Sequence, residues 1–302
     1  MSFLFNTTLI NKKNWLEAIK NTVEINNLIT YICEKEKIRV SSLYPLTPST
    51  NAVYRAGCYV IKVFAPEIIG YPAEEEFKRE IYMLMNLELS DIKAPRLYSK
   101  GIIEDKYVFY YLITEFITDS ITASKFLINS KPHVTYDFLI NLQLVIDKIH
   151  QIKADNNLTQ LLSRKTACYL KGELEFERVK LVNNFLITKS PSKNVFVHTD
   201  LSGDNILINK NHEIIIIDFE DWMYSNEAIE LPAIVFELLN NTVYVKELIK
   251  VFNYCDIIEE LFMGLLMHPS CQQYLRQICR DFNKLKSLTY VKEMLYQRYL
   301  SS

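Results

Sequence analysis

The stretch Val195–Glu220 constrains this chain more than any other. It reads Val-Phe-Val-His-Thr-Asp-Leu-Ser-Gly-Asp-Asn-Ile-Leu-Ile, then a short polar break, then Ile-Ile-Ile-Ile-Asp-Phe-Glu. Two apolar, β-branched strands, Asn205–Asn209 and Glu213–Asp218, flank a turn at Lys210–His212, the pattern of a hairpin. A third short strand, Asn194–Val197, leads in. Asp200, Asn205 and Asp218 gather at the ends of these strands: Asp200 and Asn205 share one short loop, and the hairpin returns Asp218 alongside Asn205. A carboxylate and a carboxamide are hard oxygen ligands of the kind Mg²⁺ takes, with water and phosphates completing its shell. Asp200 is then left to orient a hydroxyl nucleophile and accept its proton, and the set as a whole implies phosphoryl transfer.

The chain before this stretch alternates one helix with strands. Lys13–Lys37 carries Leu16, Ile19 and Val23, then Leu28, Ile29 and Ile32, near helical spacing. Arg39–Leu46 leans towards β. Thr47–Asn51 forms a turn before a strand at Ala52–Arg55; Gly57-Cys58 turns the chain again into a strand at Tyr59–Phe64, which carries Lys62. Pro72–Leu89 is an amphipathic helix with Phe77, Ile81, Leu84 and Met85 as its stripe and Glu74–Glu76 at its positive start. Two further strands, Arg96–Glu104 and Lys106–Glu115, meet at Glu104-Asp105. From Ser120 onward helices dominate: Val134–Ile152 with Phe138, Leu142, Val145, Ile149 and Ile152 facing inward, more helix in Leu158–Thr188, a new helix near Glu230–Pro232, and a helical Thr242–Leu300.

His198-x-Asp200-x-x-x-x-Asn205 followed by Asp218-Phe219-Glu220 resembles the catalytic core of the aminoglycoside phosphotransferase family, within the protein-kinase-like fold. Thr199 stands in place of the kinase Arg, and Glu220 in place of the Gly of D-F-G. The resemblance extends from about Leu46 to Glu237 and is specific at Val195–Glu220. It implies an α+β, bilobal protein-kinase-like fold with a small β-rich N-lobe (1–115) and a larger helical C-lobe (116–302) holding the catalytic hairpin. Asp200 becomes the catalytic base, and Asn205 and Asp218 the Mg²⁺ ligands. Ser49 and Thr50 lie in the loop that covers the phosphates of ATP or GTP. Lys62 reaches the α- and β-phosphates, with Glu80 as its ion-pair partner or, one turn earlier, Glu76. The hinge is Thr114–Asp119, where the Glu115 carbonyl and the Ile117 N–H read the base; Thr114 and Phe116 fit in a shifted register. His150 and His198 take structural parts, and Glu230 stands where an acidic residue buttresses the catalytic loop. Thr47–Val53 contains no glycine, a departure from kinase phosphate loops.

Only about a dozen residues separate Asp218 from the helix at Glu230–Pro232, too few for a peptide-binding activation segment, so a small-molecule acceptor is expected. An aminoglycoside antibiotic comes first. Choline, sugar or homoserine kinases and a nucleotide-binding regulator without turnover are alternatives, with a protein kinase behind them. Glu227, Asp256, Glu259 and Glu260 are available carboxylates near that pocket. The formal net charge of −2 over 302 residues leaves no nucleic-acid footprint. No apolar run has the length a membrane span requires, and Met1–Asn14 lacks the pattern of a signal peptide. Six cysteines (33, 58, 168, 255, 271 and 279) without C-x-x-C spacing, and His133, His212 and His268 without zinc spacing, fit a reduced, cytoplasmic monomer.

Overall fold

The computed structural model describes residues 3–20, 22–40, 42–46, 50–90, 92–128, 130–153, 184, 194–239, 242–252, 256–278 and 288–299. These form two compact units: Met1–Asp119 together with Asp218–Glu220, and Ser120–Ile217 together with Asp221–Ser302. Most of Leu158–Thr188, read above as helical, lies outside the described residues.

The first unit is built on an antiparallel sheet of β1 (Leu43–Pro45), β2 (Ala52–Ala56), β3 (Tyr59–Val63), β4 (Leu97–Glu104) and β5 (Val108–Glu115), in the order β1-β2-β3-β5-β4. Alternation along the strands sends the two faces to different partners. Ala52, Tyr54, Ile61, Val63, Phe109, Tyr111 and Ile113 pack under the N-terminal helices α1 (Lys12–Ala18) and α2 (Thr22–Lys35) with Trp15, Ile25, Leu28, Ile29 and Ile32. Phe64 and Leu112 face α3 (Ala73–Leu89) and its Ala73 and Phe77. Lys62 lies between Ile61 and Val63 and opposite Leu112, so strand geometry sends it to the α3 face.

The single helix expected over Lys13–Lys37 is two. The ladder of α1 ends in an i→i−3 bond from Lys20 N–H to the Glu17 carbonyl (3.2 Å), and the chain restarts at Thr22. This break resets the helical phase. Val23, placed in the stripe by uninterrupted spacing, is therefore exposed, while Ile25 is buried. On α3, Met85 is likewise exposed and the buried set runs through Phe77, Met83, Leu84 and Leu87, with Glu76 and Glu80 buried among them. The segment before α1 is tied down by Asp105, whose carboxylate accepts the Leu4 and Phe5 N–H groups at 3.2 and 3.0 Å. Trp15 is fully buried, and its Nε1–H donates to the Thr50 carbonyl at 2.8 Å.

The second unit holds two small antiparallel sheets. In one, β6 (Ser120–Thr122) and β9 (Ile214–Ile216) flank β8 (Ile206–Asn209); in the other, β7 (Val195–Val197) pairs with β10 (Met223–Ser225). The hairpin β8–β9 matches the expected one, closed by His212 N–H to the Asn209 carbonyl (2.9 Å), with His212 at φ 59°. After α4 (Ala123–Leu127) comes α5 (Pro132–His150), which starts with a proline whose missing N–H costs nothing there. Its buried stripe is Phe138, Leu142, Ile146 and Ile149; Val145 is only half-buried. A short 3-10 turn (Glu227–Glu230) runs into one helical turn, Leu231–Ala233, and a π-helical segment, Ile234–Leu239. Leu231, Ile234, Val235 and Leu238 are all buried. α6 (Thr242–Val251), α7 (Ile257–Met267), α8 (Cys271–Ile278) and α9 (Leu288–Tyr299) complete the unit. Among the described residues no helix is long and apolar enough to cross a membrane.

Gly264 on α7 is where this unit tolerates no side chain. A Cβ there would collide with the carbonyl oxygen of Ala228, in the middle of the 3-10 turn. Backbone cannot rotate away as a side chain can, so Gly264→Ala is expected to lower unfolding free energy by about 1–3 kcal/mol despite alanine's better helix propensity. Urea denaturation of the two proteins measures it.

Candidate active site

Within the first unit, the Lys62 ammonium is buried and meets three carboxylates. It lies 2.7 Å from Glu80 on α3, 2.7 Å from Glu220, and in hydrogen-bond contact with Asp218. Burial alone would lower its pKa; Asp218, Glu220 and Glu80 outweigh burial and hold it well above the ordinary lysine range. Burial also pushes the Glu220 carboxyl well up, with Lys62 opposing and Asp218 and Glu80 adding to the rise. Of the two glutamates considered as partners, the ion pair is made with Glu80. Oxygens of Glu80, Asp218 and Glu220 lie within 4.8 Å of one another. Carboxyl oxygens gathered in this way are hard donors of the kind a divalent cation such as Mg²⁺ takes. Asp218 itself adopts φ 66°, a left-handed conformation that aspartate tolerates better than most residues.

Within the second unit, the loop after β7 carries Asp200. Thr199 sits at φ 69°, which is strained for a β-branched residue, and three hydrogen bonds hold it there. Its N–H donates to the Glu230 carboxylate (3.1 Å), its hydroxyl to the Asp221 carbonyl (3.0 Å), and its carbonyl accepts from His268 Nε2 (2.6 Å). The other Glu230 oxygen accepts the His198 N–H at 2.6 Å. Glu230 thus satisfies two successive backbone donors in a buried position. His198 Nδ1 accepts the Asp200 N–H (3.3 Å), which puts its proton on Nε2 facing the Ile217 carbonyl (3.0 Å). Asn205 closes the loop from the far side: its Nδ2 donates to the Asp200 carbonyl (3.0 Å) and carboxylate (2.7 Å). With the amide nitrogen used twice on Asp200, the amide oxygen is the end of Asn205 suited to a cation. Gly203 has a packing reason as well, since its carbonyl accepts the Ser124 N–H at 3.0 Å and a Cβ would strike the Ser124 side chain.

The remaining expected site residues fall as follows. Ser49 lies outside the described residues. The Thr50 carbonyl takes the Trp15 bond already noted. The Glu115 N–H donates to the Arg96 carbonyl (2.9 Å) and the Phe116 N–H to the Cys58 carbonyl (2.8 Å), so Phe116 has no N–H to offer a base. The His150 ring stands 3.9 Å from Glu227 and 3.8 Å from Glu230. Among the acidic residues, Asp256 caps α7 through the Ile258 and Glu259 N–H groups, and Glu259 pairs with Lys292. The Glu260 carboxyl is raised by burial and then by Glu227, Glu259 and Asp256, each of which lies within electrostatic reach of it. Sequence reasoning missed His268, 69 residues from the loop it holds, for which no local signal exists. It also missed Asn51, whose side chain is buried against Glu220 and whose place just before a strand was the one available hint.

The sequence profile of the phosphotransferase enzyme family matches residues 49–240. The chain belongs to that family. A comparison with curated protein sequences finds no match. Solved structures sharing the fold include APH(2")-IIa in complex with gentamicin, 14% identical, with a TM-score of 0.62 over 89% of this chain and 95% of that one. A thermostable mutant of aminoglycoside phosphotransferase APH(4)-Ia, in ternary complex with ADP and hygromycin B, is 15% identical, with a TM-score of 0.57 over 90% and 98%. Choline kinase LicA from Streptococcus pneumoniae is 12% identical, with a TM-score of 0.53 over 91% and 99%. At such identities they establish the fold, which is α+β and kinase-like, and leave the acceptor open.

The loop clamp has a pH signature. Nδ1 of His268 accepts the Ser270 N–H (2.9 Å), and burial pushes the imidazole from 6.5 down to about 4, against the opposing pull of Thr199 and Glu230. The folded pKa is depressed, so the neutral ring's contribution is complete above the unfolded value and is lost as pH falls from 6.5 towards 4. The loss is on the order of 3 kcal/mol. In urea denaturation, wild type should exceed His268→Gln clearly at about pH 7.5, and the gap should narrow at about pH 4.5.

Proposed function

We propose that this family member transfers the γ-phosphoryl group of ATP or GTP to a hydroxyl of a small, cationic acceptor, an aminoglycoside in the first instance. The observation that carries the reading is the buried ion cluster in which Lys62 of β3 meets Glu80 of α3 and Asp218. Phosphoryl transfer relies on such a lysine, fixed by a helix glutamate, with a metal-binding aspartate beside it. In this reading Lys62 aligns the α- and β-phosphates, Ser49 and Thr50 cover them, and the Glu115 carbonyl and Ile117 N–H hold the base.

Asn205 and Asp218 would hold Mg²⁺, whose charge offsets that of the phosphate oxygens. Asp200 orients the acceptor hydroxyl and takes its proton. Its carboxylate is set by Asn205, and its backbone by the Glu230 and His268 clamps. Because the transition state is loose, holding these groups in place supplies most of the rate. Glu227 and Glu260, carboxylates near the expected acceptor pocket, support a positively charged acceptor. That charge fits a choline-type quaternary amine as well as an aminoglycoside, which makes a choline-type metabolic kinase the second reading. Free thiols at Cys33, Cys58 and Cys271 fit a reducing compartment, where both nucleotide donors are found.

The test is nucleoside diphosphate release from ATP and from GTP, with Mg²⁺, across aminoglycosides, choline, sugars and homoserine, in wild type and Asp200→Asn. Release in wild type should rise with one cationic acceptor. The variant should lose roughly 10²–10⁴ of that rate while its nucleotide affinity stays within about threefold. Nucleotide binding without stimulation by any acceptor would favour a regulator without turnover. A variant as fast as wild type would remove Asp200 from the chemistry.

A further inference from the structure

The nucleotide loop has no glycine between Thr47 and Val53, and Glu220 occupies the position of the D-F-G glycine. Both departures meet at Asn51. This residue is 1% exposed and immediately precedes β2. Its amide oxygen accepts the Ala65 N–H (2.9 Å), just past the end of β3, and its amide nitrogen donates to the Glu220 carboxylate. Glu220 in turn lies 2.7 Å from the Lys62 ammonium and two residues beyond Asp218. Nearby, Leu46 N–H bonds to the Val53 carbonyl (2.8 Å), closing the base of the loop, and the Trp15 indole holds the Thr50 carbonyl. One carboxylate therefore touches the loop, the phosphate lysine and the segment carrying Asp218. A glycine at 220 would leave the buried Asn51 amide without that acceptor, at the cost of an unsatisfied buried donor.

We propose that Asn51 and Glu220 form a buried lock that sets the Thr50–Val53 end of the nucleotide loop against Lys62 and the Asp218 segment, making Glu220 a positioning residue for the nucleotide phosphates. The lock supplies side-chain hydrogen bonds where glycine would leave backbone freedom, so Thr50–Val53 is held before nucleotide arrives and less ordering of this part remains at binding. This inference rests on the phosphotransferase reading and adds a residue to it. It confines the lock's effect to the phosphates: base and ribose recognition at the hinge does not depend on it.

A reciprocal swap tests the lock in the full-length chain. Asn51→Asp sets two acid groups face to face. Adding Glu220→Gln restores a donor–acceptor pair with reversed polarity, while the Ala65 N–H keeps its acceptor. Binding of ATP with Mg²⁺ and of adenosine, which lacks phosphates, is measured by calorimetry for wild type, each single variant and the double, with thermal melts alongside. Asn51→Asp should weaken ATP by roughly tenfold or more and adenosine by less than about threefold, and the double variant should recover ATP to within about threefold of wild type. Recovery of folding in the double, should Asn51→Asp not fold, supports the lock equally. A double variant as impaired as Asn51→Asp alone, or equal losses for ATP and adenosine, would overturn it. Failure of wild type to bind ATP would instead bring down the phosphotransferase reading on which the lock depends.

Discussion

A lysine ammonium buried beside three carboxylates is the interaction from which the chemistry of this chain is built. Taking charges out of water is costly, and a hydrophobic residue at position 62 would serve the sheet at least as well. Ile61 and Val63 already fill the face under α1 and α2, so Lys62 on the opposite face adds nothing to that core. What the arrangement does supply is a fixed positive point with anionic oxygens packed around it, drawn from β3, α3 and Asp218–Glu220. The sheet order and the register of β3 against β5 place the lysine on the face of the helix that carries Glu80. The N-terminal helices act on the same region, since Trp15 is both a core residue and the donor to the Thr50 carbonyl.

The loop around Asp200 follows a different logic. Its shape comes from a strained threonine whose N–H, hydroxyl and carbonyl are each held, by Glu230, Asp221 and His268 respectively. Glu230 belongs to the turn that Gly264 allows α7 to approach, and His268 stands just past the end of α7. Helical packing far from Asp200 in sequence thereby fixes where its carboxylate is held. Because His268 holds both of its bonds only as a neutral ring, acid weakens this clamp.

The parts legible in the sequence are those whose signal is local. The β-branched runs of Ile206–Asn209 and Ile214–Ile216, the turn between them, and the order His198, Asp200, Asn205, Asp218 all lie within one short stretch. Pro232 marks the helical start found at Leu231–Ala233, and Glu230 lies beside the loop that carries Asp200, as expected. Helical phase was less secure. The break after α1 moved Val23 outward and brought Ile25 in, and on α5 Ile146, not Val145, turned inward, because packing chooses among neighbouring apolar residues where spacing permits either. Two long-range polar pairs left no trace. Neither the 69 residues between Thr199 and His268 nor the 169 between Asn51 and Glu220 carry a repeat or motif linking their ends.

Calorimetric binding of ATP and adenosine to wild type and Lys62→Met, with and without Mg²⁺, tests whether Lys62 and its carboxylates serve the phosphates of a nucleotide. If they do, ATP binding depends on Mg²⁺ and weakens by roughly tenfold or more in the variant, while adenosine binding changes by less than about threefold. Equal loss of both ligands, or ATP binding indifferent to Mg²⁺ and to the lysine, would contradict it.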